Sequence, residues 1–460
     1  MKLFSRTNID MTEGNLFKKI FTFAFPLMLT SLLQLLYTAA DLMVIGQFRS
    51  TQAFSAISST SSLINLCITL FVGLSAGSNV LMAKALGAKN NEDCKKVLHT
   101  SLLIAVSSGI VIGIVGFIFA KNLLEMMNSP YDVIELATLY LKIYFIGMPF
   151  NLLYNFGSAI MRANGDTSRP LVYLFISGAV NIIVNLFLVL VCNMSVDGVA
   201  IATILSQAIS ACLVLSALAR YKEDWHFTLK SLSLDLKTLK GIILIGLPAG
   251  IQGTLFSISN VLIQSSVNSF GSFVMAGNGT ASNLEGFVFV VMNAFYQATL
   301  SFIGQNLGAK KYYNIKKIYK YSIIYVIVFS FTLGLIVYSL SPILTKLYTS
   351  DPDVIILATN RIAIMCLSYF LCGIMDVTVG TLRGLGYSII PMITSIIGVC
   401  GFRVLWVLGV FSENRNIGLL YASYPISWII TGSVLFICFL FIYKKIIKPL
   451  ITMNNTPTNK

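Results

Sequence analysis

Twelve long apolar runs dominate the chain, at roughly 16–46, 53–83, 97–120, 135–160, 170–192, 198–219, 241–268, 280–308, 318–341, 357–381, 388–411 and 417–443. Spanning a bilayer takes about 20 mostly apolar residues in a helix, and each run reaches that length. Residues are 56% hydrophobic and 11% charged, so a water-soluble fold could not cover the apolar surface. Lipid makes every spanning segment satisfy its own backbone, and strict alternation is absent. The runs are therefore helices, not barrel strands. The first is too long for a cleaved signal peptide, and eleven more follow it. No stretch between runs is long enough for a soluble domain.

A net charge of +14 could point to nucleic acid, but its placement points to topology. With a cytoplasmic N-terminus, the inner segments hold Lys2, Arg6, Lys18 and Lys19; Lys84, Lys89, Lys95 and Lys96; Arg169; Arg220, Lys222, Lys230, Lys237 and Lys240; Lys310, Lys311, Lys316, Lys317 and Lys320; and Lys444, Lys445, Lys448 and Lys460. Arg162 and Arg383, also inner, read as topology anchors. The outer segments hold only Arg49, Lys121, Lys346, Arg361 and Arg415, while Lys142 and Arg403 sit towards outer ends of spans, where they can snorkel. This alternation is the positive-inside pattern, and it places both termini in the cytoplasm of a multi-pass plasma-membrane protein. The eight cysteines form no disulfide framework; most lie in apolar runs, and Cys94 lies in a reducing inner loop.

The chain also repeats itself. "DVIELAT" from Asp132 returns as "DVIILAT" from Asp353, displaced by 221 residues. "LGAK" at 86–89 returns at 307–310, and "RANGDTSRP" at 162–170 faces "RGLGYSIIP" at 383–391. Pro26 and Pro248 recur one residue out of step. The expected organisation is a tail 1–15, a six-helix bundle 16–219, a polar linker 220–240, a second bundle 241–445 and a tail 446–460. Six spans per half is even, so the repeats are parallel. The expected fold is all-α: twelve transmembrane helices in two parallel six-helix bundles, related by a pseudo-twofold axis along the membrane normal.

Ionisable and polar groups inside spans are costly and mark function. Gln34, Tyr37 and Asp41 share a face of the first span, and Asn181 and Asn185 share one of the fifth. With Thr203 on the sixth, they offer an oxygen shell suited to a hard monovalent cation. Tyr369, Cys372 and Asp376 share a face of the tenth span, and Glu285 opens the apolar part of the eighth. Met292 and Tyr296 continue the Glu285 face, and such adaptable surfaces suit varied apolar cations. Pro26 bends the first span and could couple it to ion binding. The candidate charges in the cavity are read as acids, favouring cationic cargo.

No phosphate loop is present, and His99 and His226 stand in no H-E-x-x-H pattern, so neither an ATP-driven pump nor an enzyme is expected. A channel is the weaker alternative, because unlike buried acids in the two halves fit a gated carrier better.

"MTEGNLFKKIFTFAFP", "LLQLLYTAADLMVIGQF", "LMAKALGAKN", "MRANGDTSRP", "ASNLEGFVFVVMNAFYQATLSFIGQNLGAKK" and "MDVTVGTLRGLGYSIIP" together resemble the multidrug and toxic compound extrusion (MATE) family, over about 11–445. The resemblance implies a secondary active antiporter that exports organic cations or amphipathic drugs by alternating access, driven by sodium or protons. It implies no cofactor beyond the coupling ion, no ATP, and a monomer in contact with membrane lipid. It carries Asp41, Asn181, Asn185 and Thr203 onto a cation network, and Asp376 onto an acid of coupling or substrate binding. Asn185 stands where a second acid can stand, which favours sodium over a two-carboxylate proton relay. A lipid-linked oligosaccharide flippase, from the wider group, is the alternative.

Overall fold

The computed structural model describes residues 8–127 and 129–455. Lys2, Arg6 and Lys460, and the outermost parts of both tails, lie outside these residues. The helices are α1 (Leu16–Phe48), α2 (Thr51–Gly87), α3 (Asn91–Met126), α4 (Ile134–Ile146), α5 (Met148–Ala163), α6 (Ser168–Leu186), α7 (Val196–Ala219), α8 (Leu236–Asn268), α9 (Ser272–Gly308), α10 (Tyr313–Thr345), α11 (Pro352–Gly384), α12 (Ile389–Ser395), α13 (Phe402–Trp406), α14 (Ile417–Ile442) and α15 (Lys448–Asn455). Wide π turns extend α6 to Val191, link α12 to α13, carry α13 to Phe411, and join α14 to α15.

Among the described residues, eleven helical stretches are long and apolar enough to cross a membrane. A twelfth crossing is α4 with α5, bent by 49° where the chain passes through Gly147. Pro149, in the first turn of α5, has no N–H to continue the ladder from α4. The all-helical, twelve-span reading holds. The inner ends are less abrupt than hydropathy suggests. The last helix runs on to Asn455 where a tail from 446 was expected. Cys94 lies in α3 and is buried, not in an open loop.

Polar caps start several helices. Ser50 accepts the Ala53 amide at 3.3 Å, Asn90 the Asp93 amide at 3.2 Å, and Asn416 the Gly418 amide at 2.8 Å. Asp351 caps α11, with Pro352 in its first turn. The duplicated phrases fold alike. Lys89 and Lys310, both ending "LGAK", take left-handed φ of 53° and 57°. Gly165 and Gly386, in the paired Arg-Gly phrases, take 82° and 94°. Matching unusual dihedrals at the same spacing make the repeat structural.

The packed units differ from the repeat boundaries. One unit is Leu29–Gly250, with the residues up to Ile9; the other is Asp10–Met28 with Ile251–Lys460. Thus the first part of α1 belongs to the second unit, and the first part of α8 to the first. The expected bundles 16–219 and 241–445 are corrected accordingly. Each changeover comes two residues beyond a proline inside the helix, Pro26 or Pro248.

In the first unit, Gly73 and Gly77 of α2 meet Gly246 and Gly250 of α8. A Cβ on Gly73 would fall 2.2 Å from the Gly250 nitrogen, and one on Gly246 would fall 2.6 Å from Leu74 Cα. "GLSAG" and "GLPAG" are two G-x-x-x-G patterns facing each other, and only glycine lets the backbones approach this closely. In the second unit, aromatic contacts and amide caps hold the leading part of α1. Phe17 stacks on Tyr325 at 4.4 Å, Phe21 on Phe329 at 5.4 Å, and Phe23 meets Phe302 edge-on. Asn306 and Asn314 donate to the Met11 and Thr12 carbonyls at 2.8 and 3.0 Å, and Lys311 pairs with Glu13 at 2.6 Å.

Gly246→Leu should therefore lower the unfolding midpoint in detergent, by an amount corresponding to roughly 1–3 kcal/mol of overpacking. Gly279→Ala, where a Cβ meets nothing within 4 Å, should leave it nearly unchanged. An unchanged midpoint for Gly246→Leu would remove the close-approach argument.

Candidate functional site

In the first unit, α1 and α6 meet at Tyr37 and Gly178. A Cβ on Gly178 would lie inside the Tyr37 ring, 1.8 Å from Cζ, so only glycine admits the tyrosine there. One turn further along α1, the half-buried Asp41 carboxylate accepts a hydrogen bond from Asn185 Nδ2 at 2.8 Å. Arg49, at the end of α1, donates to the Val189 carbonyl in the π turn that extends α6. These contacts lock Asp41 and Asn185 in register.

Asn181 and Asn185 are 4% and 1% exposed, and the side-chain oxygen of each is buried with no hydrogen-bond partner. Thr203, from α7, is within reach of the same carboxylate while its hydroxyl donates to the Val199 carbonyl at 2.9 Å. A buried acceptor left unsatisfied costs about 1–3 kcal/mol. A carboxylate held by Asn185, with the orphaned oxygen of Asn185 and that of Asn181 one turn earlier on α6, makes a region whose deficit is positive charge. Of the residues grouped from the sequence, Asp41, Asn185 and Thr203 come together, and Asn181 lies one turn before Asn185 on the same helix. Gln34, one turn before Thr38, is exposed and joins no polar cluster of this unit. Tyr140 and Tyr144 of α4 stand close enough to feel the Asp41 charge, and were missed. Their four-residue spacing on one face was the available signal.

The second unit holds a cavity of about 230 Å³, lined by Asn260, Gln264, Asn278, Glu285, Arg361 and Tyr424 among others. Glu285 is 4% exposed. Both its oxygens are engaged: Arg361 Nε and Nη2 donate to them at 2.7 and 2.9 Å, and Tyr369 adds its hydroxyl at 3.1 Å. Arg361 also donates to Asn278 Oδ1, which accepts from Tyr421 as well. Arg361 is thus no outer-loop residue but a buried partner inside α11. Its low-dielectric environment is tolerable because the fork meets the carboxylate bidentately.

Two other arginines depart from expectation. Arg403, expected to snorkel, is 4% exposed and lies 4.0 Å over the Tyr424 ring, donating to Ser427 at 3.3 Å and Asn260 at 3.2 Å. Arg383, read as a loop anchor, is buried at the end of α11 and donates to the Tyr296 hydroxyl at 2.7 Å and Gln252 at 2.8 Å. Tyr296 is therefore an arginine acceptor. Met292 is fully buried against Gly373 and serves packing, not cargo. Asp376 is half-buried; it bonds to no described residue, and Arg383 is the cation acting on it. The reading of an all-acid cavity fails in this unit. Among the described residues, no three His, Cys, Asp or Glu converge as a metal cluster.

The model of the MatE family matches residues 26–187 and again 248–407, most of the chain, with each match beginning at one of the two helix prolines. The chain belongs to the MATE family. Its polytopic, all-helical build is that of this family, whose double match repeats the internal duplication. The chain is 26% identical over 443 residues to the probable multidrug resistance protein YoeA of Bacillus subtilis, covering 94% of this chain and 96% of that protein. It is 23% identical over 374 residues to the multidrug export protein MepA of Staphylococcus haemolyticus, covering 81% and 82%. Among solved structures, it superposes on a MOP superfamily transporter from Pyrococcus furiosus with a TM-score of 0.88 at 20% identity, over 97% of this chain and 99% of that one.

Removing one partner of a buried ion pair typically costs about 3–5 kcal/mol, because the other charge is left uncompensated. Arg361→Gln should therefore destabilise the protein more than the double change Glu285→Gln with Arg361→Gln. Thermal unfolding of the four members of that mutant cycle reads the difference. Additive losses would show that the pair is not energetically coupled.

Proposed function

We propose that this protein exports amphipathic small molecules from the cell, driven by sodium entering through the site at Asp41. The carrying observation is the polar cluster of the first unit: a carboxylate held by Asn185, with the buried oxygens of Asn181 and Asn185 left without donors. Oxygen ligands of this kind suit a hard cation. The single carboxylate matches one positive charge, which binds without being trapped. A proton could neutralise Asp41 as well, but would leave the amide oxygens unsatisfied. That difference favours sodium.

Neutralising Asp41 removes a charge from the interior of a spanning bundle and changes which packing of α1 is preferred. Pro26 frees a helix carbonyl and weakens the ladder close to where α1 changes unit, so α1 can bend there. An ion that binds one packing better shifts the population by its differential affinity alone. Relatives described as multidrug export and multidrug resistance proteins support an export direction and chemically varied cargo. Both termini cytoplasmic, in the plasma membrane, is the orientation that the basic inner segments favour.

Dye efflux from proteoliposomes, under separately imposed sodium and proton gradients, tests this reading. An inward sodium gradient should drive efflux, and Asp41→Asn should abolish it while the protein stays folded in the membrane. Efflux driven equally well in the Asp41→Asn protein would refute the site. Pro26→Ala should slow ion-driven efflux; full transport with full ion dependence would take the bend out of the mechanism.

A further inference from the structure

The interior charges of the second unit do not balance. Glu285 is held bidentately by Arg361, and Arg383 is the cation that acts electrostatically on Asp376. Arg403 is left over. The groups around it are Tyr424, Cys372, Cys400 and Tyr369, and no ion pair joins it to a described carboxylate. Its Nε and Nη1 donate to Ser427 and Asn260, but Nη2 bonds to no described residue. A guanidinium buried in a membrane protein with no counter-ion is expensive, and neither a hydroxyl, an amide nor a ring face carries the missing negative charge.

We propose that the cavity of the second unit is a receptor for an anionic headgroup, the carboxylate or phosphate end of an amphipathic molecule, completed by Arg403. Asn260 and Tyr424 line the cavity, and Arg403 contacts both of them, so the spare cation is one side chain away from the cavity lining. Glu285 does not repel an anion as a free carboxylate would, because Arg361 neutralises it in place. The same bidentate pair makes it a poor acceptor for cationic cargo. Guanidinium forks are well matched to carboxylate and phosphate oxygens. The volume, about 230 Å³, is below the roughly 300–1,000 Å³ of drug-sized pockets. It admits a headgroup or a single substituted ring, with a longer apolar tail left outside.

The assignment rests on the export reading only in treating this cavity as a cargo site. Equilibrium binding needs no ion gradient, so the two stand or fall separately. The test is calorimetric titration of the purified full-length protein in neutral detergent with 4-tert-butylbenzoate, with its neutral amide, and with trimethyl-(4-tert-butylbenzyl)ammonium. The carboxylate should bind at least about tenfold more tightly than the other two, the scale of one charge-assisted hydrogen bond. Arg403→Gln should remove that preference, and Arg403→Lys should retain most of it, which separates a lost charge from a lost fold. A repeat in nanodiscs identifies the source. Displacement of the benzoate by phosphatidylglycerol, and not by phosphatidylcholine, assigns the headgroup to a lipid; no displacement assigns it to soluble cargo. Equal affinity for all three probes, tighter binding of the ammonium, or an undiminished preference in Arg403→Gln would overturn the proposal. Sodium-driven efflux persisting beside such a result would leave the export reading intact.

Discussion

Inside a bilayer there is no water to complete an unfinished polar group, so each must be met by the chain itself or by something the chain carries. This constraint makes every span a helix, because only a helix satisfies its own backbone. It also removes the hydrophobic drive between helices, leaving close packing and polar contacts to hold them. The glycine crossing of α2 with α8 supplies the first, and the pair between Arg361 and Glu285 supplies the second. Among the groups that the described chain leaves incomplete, two differ in sign: the amide oxygens of Asn181 and Asn185, which lack donors, and Arg403, which has no carboxylate partner. The two units thus carry unfinished sites of opposite sign on one duplicated scaffold.

The fold was legible because hydropathy, charge alternation and repetition are local or periodic signals. The runs gave the spans, and the recurrence of "LGAK" anticipated the matching left-handed lysines at 89 and 310. The cluster at Asp41 was legible because its members share helix faces at four-residue spacing. Arg361 and Arg403 were misread for a physical reason. A lone arginine within about ten residues of a span's end looks like an interfacial residue that can snorkel. The contacts that bury them come from other helices: Glu285 lies 76 positions from Arg361, and Asn260 lies 143 from Arg403. No periodicity reports such a partner. Met292 failed differently, since an apolar stripe says that a face is buried but not against what.

Unit membership was hidden for a related reason, since hydropathy marks that a helix crosses the membrane and is silent on its neighbours. The paired "GLSAG" and "GLPAG" phrases were the available sign that the start of α8 packs against α2. Together with Pro248 inside the second phrase, they place a tight crossing and a weakened helical turn side by side.

The reciprocal loan of leading helix segments bears on what joins the two halves. A cut through the 220–240 connection yields two polypeptides: the first lacks the end of its unit, up to Gly250, and carries Asp10–Met28 of the other; the second is the converse. The connection is therefore not a dispensable tether: severing it separates residues that fold into one compact unit.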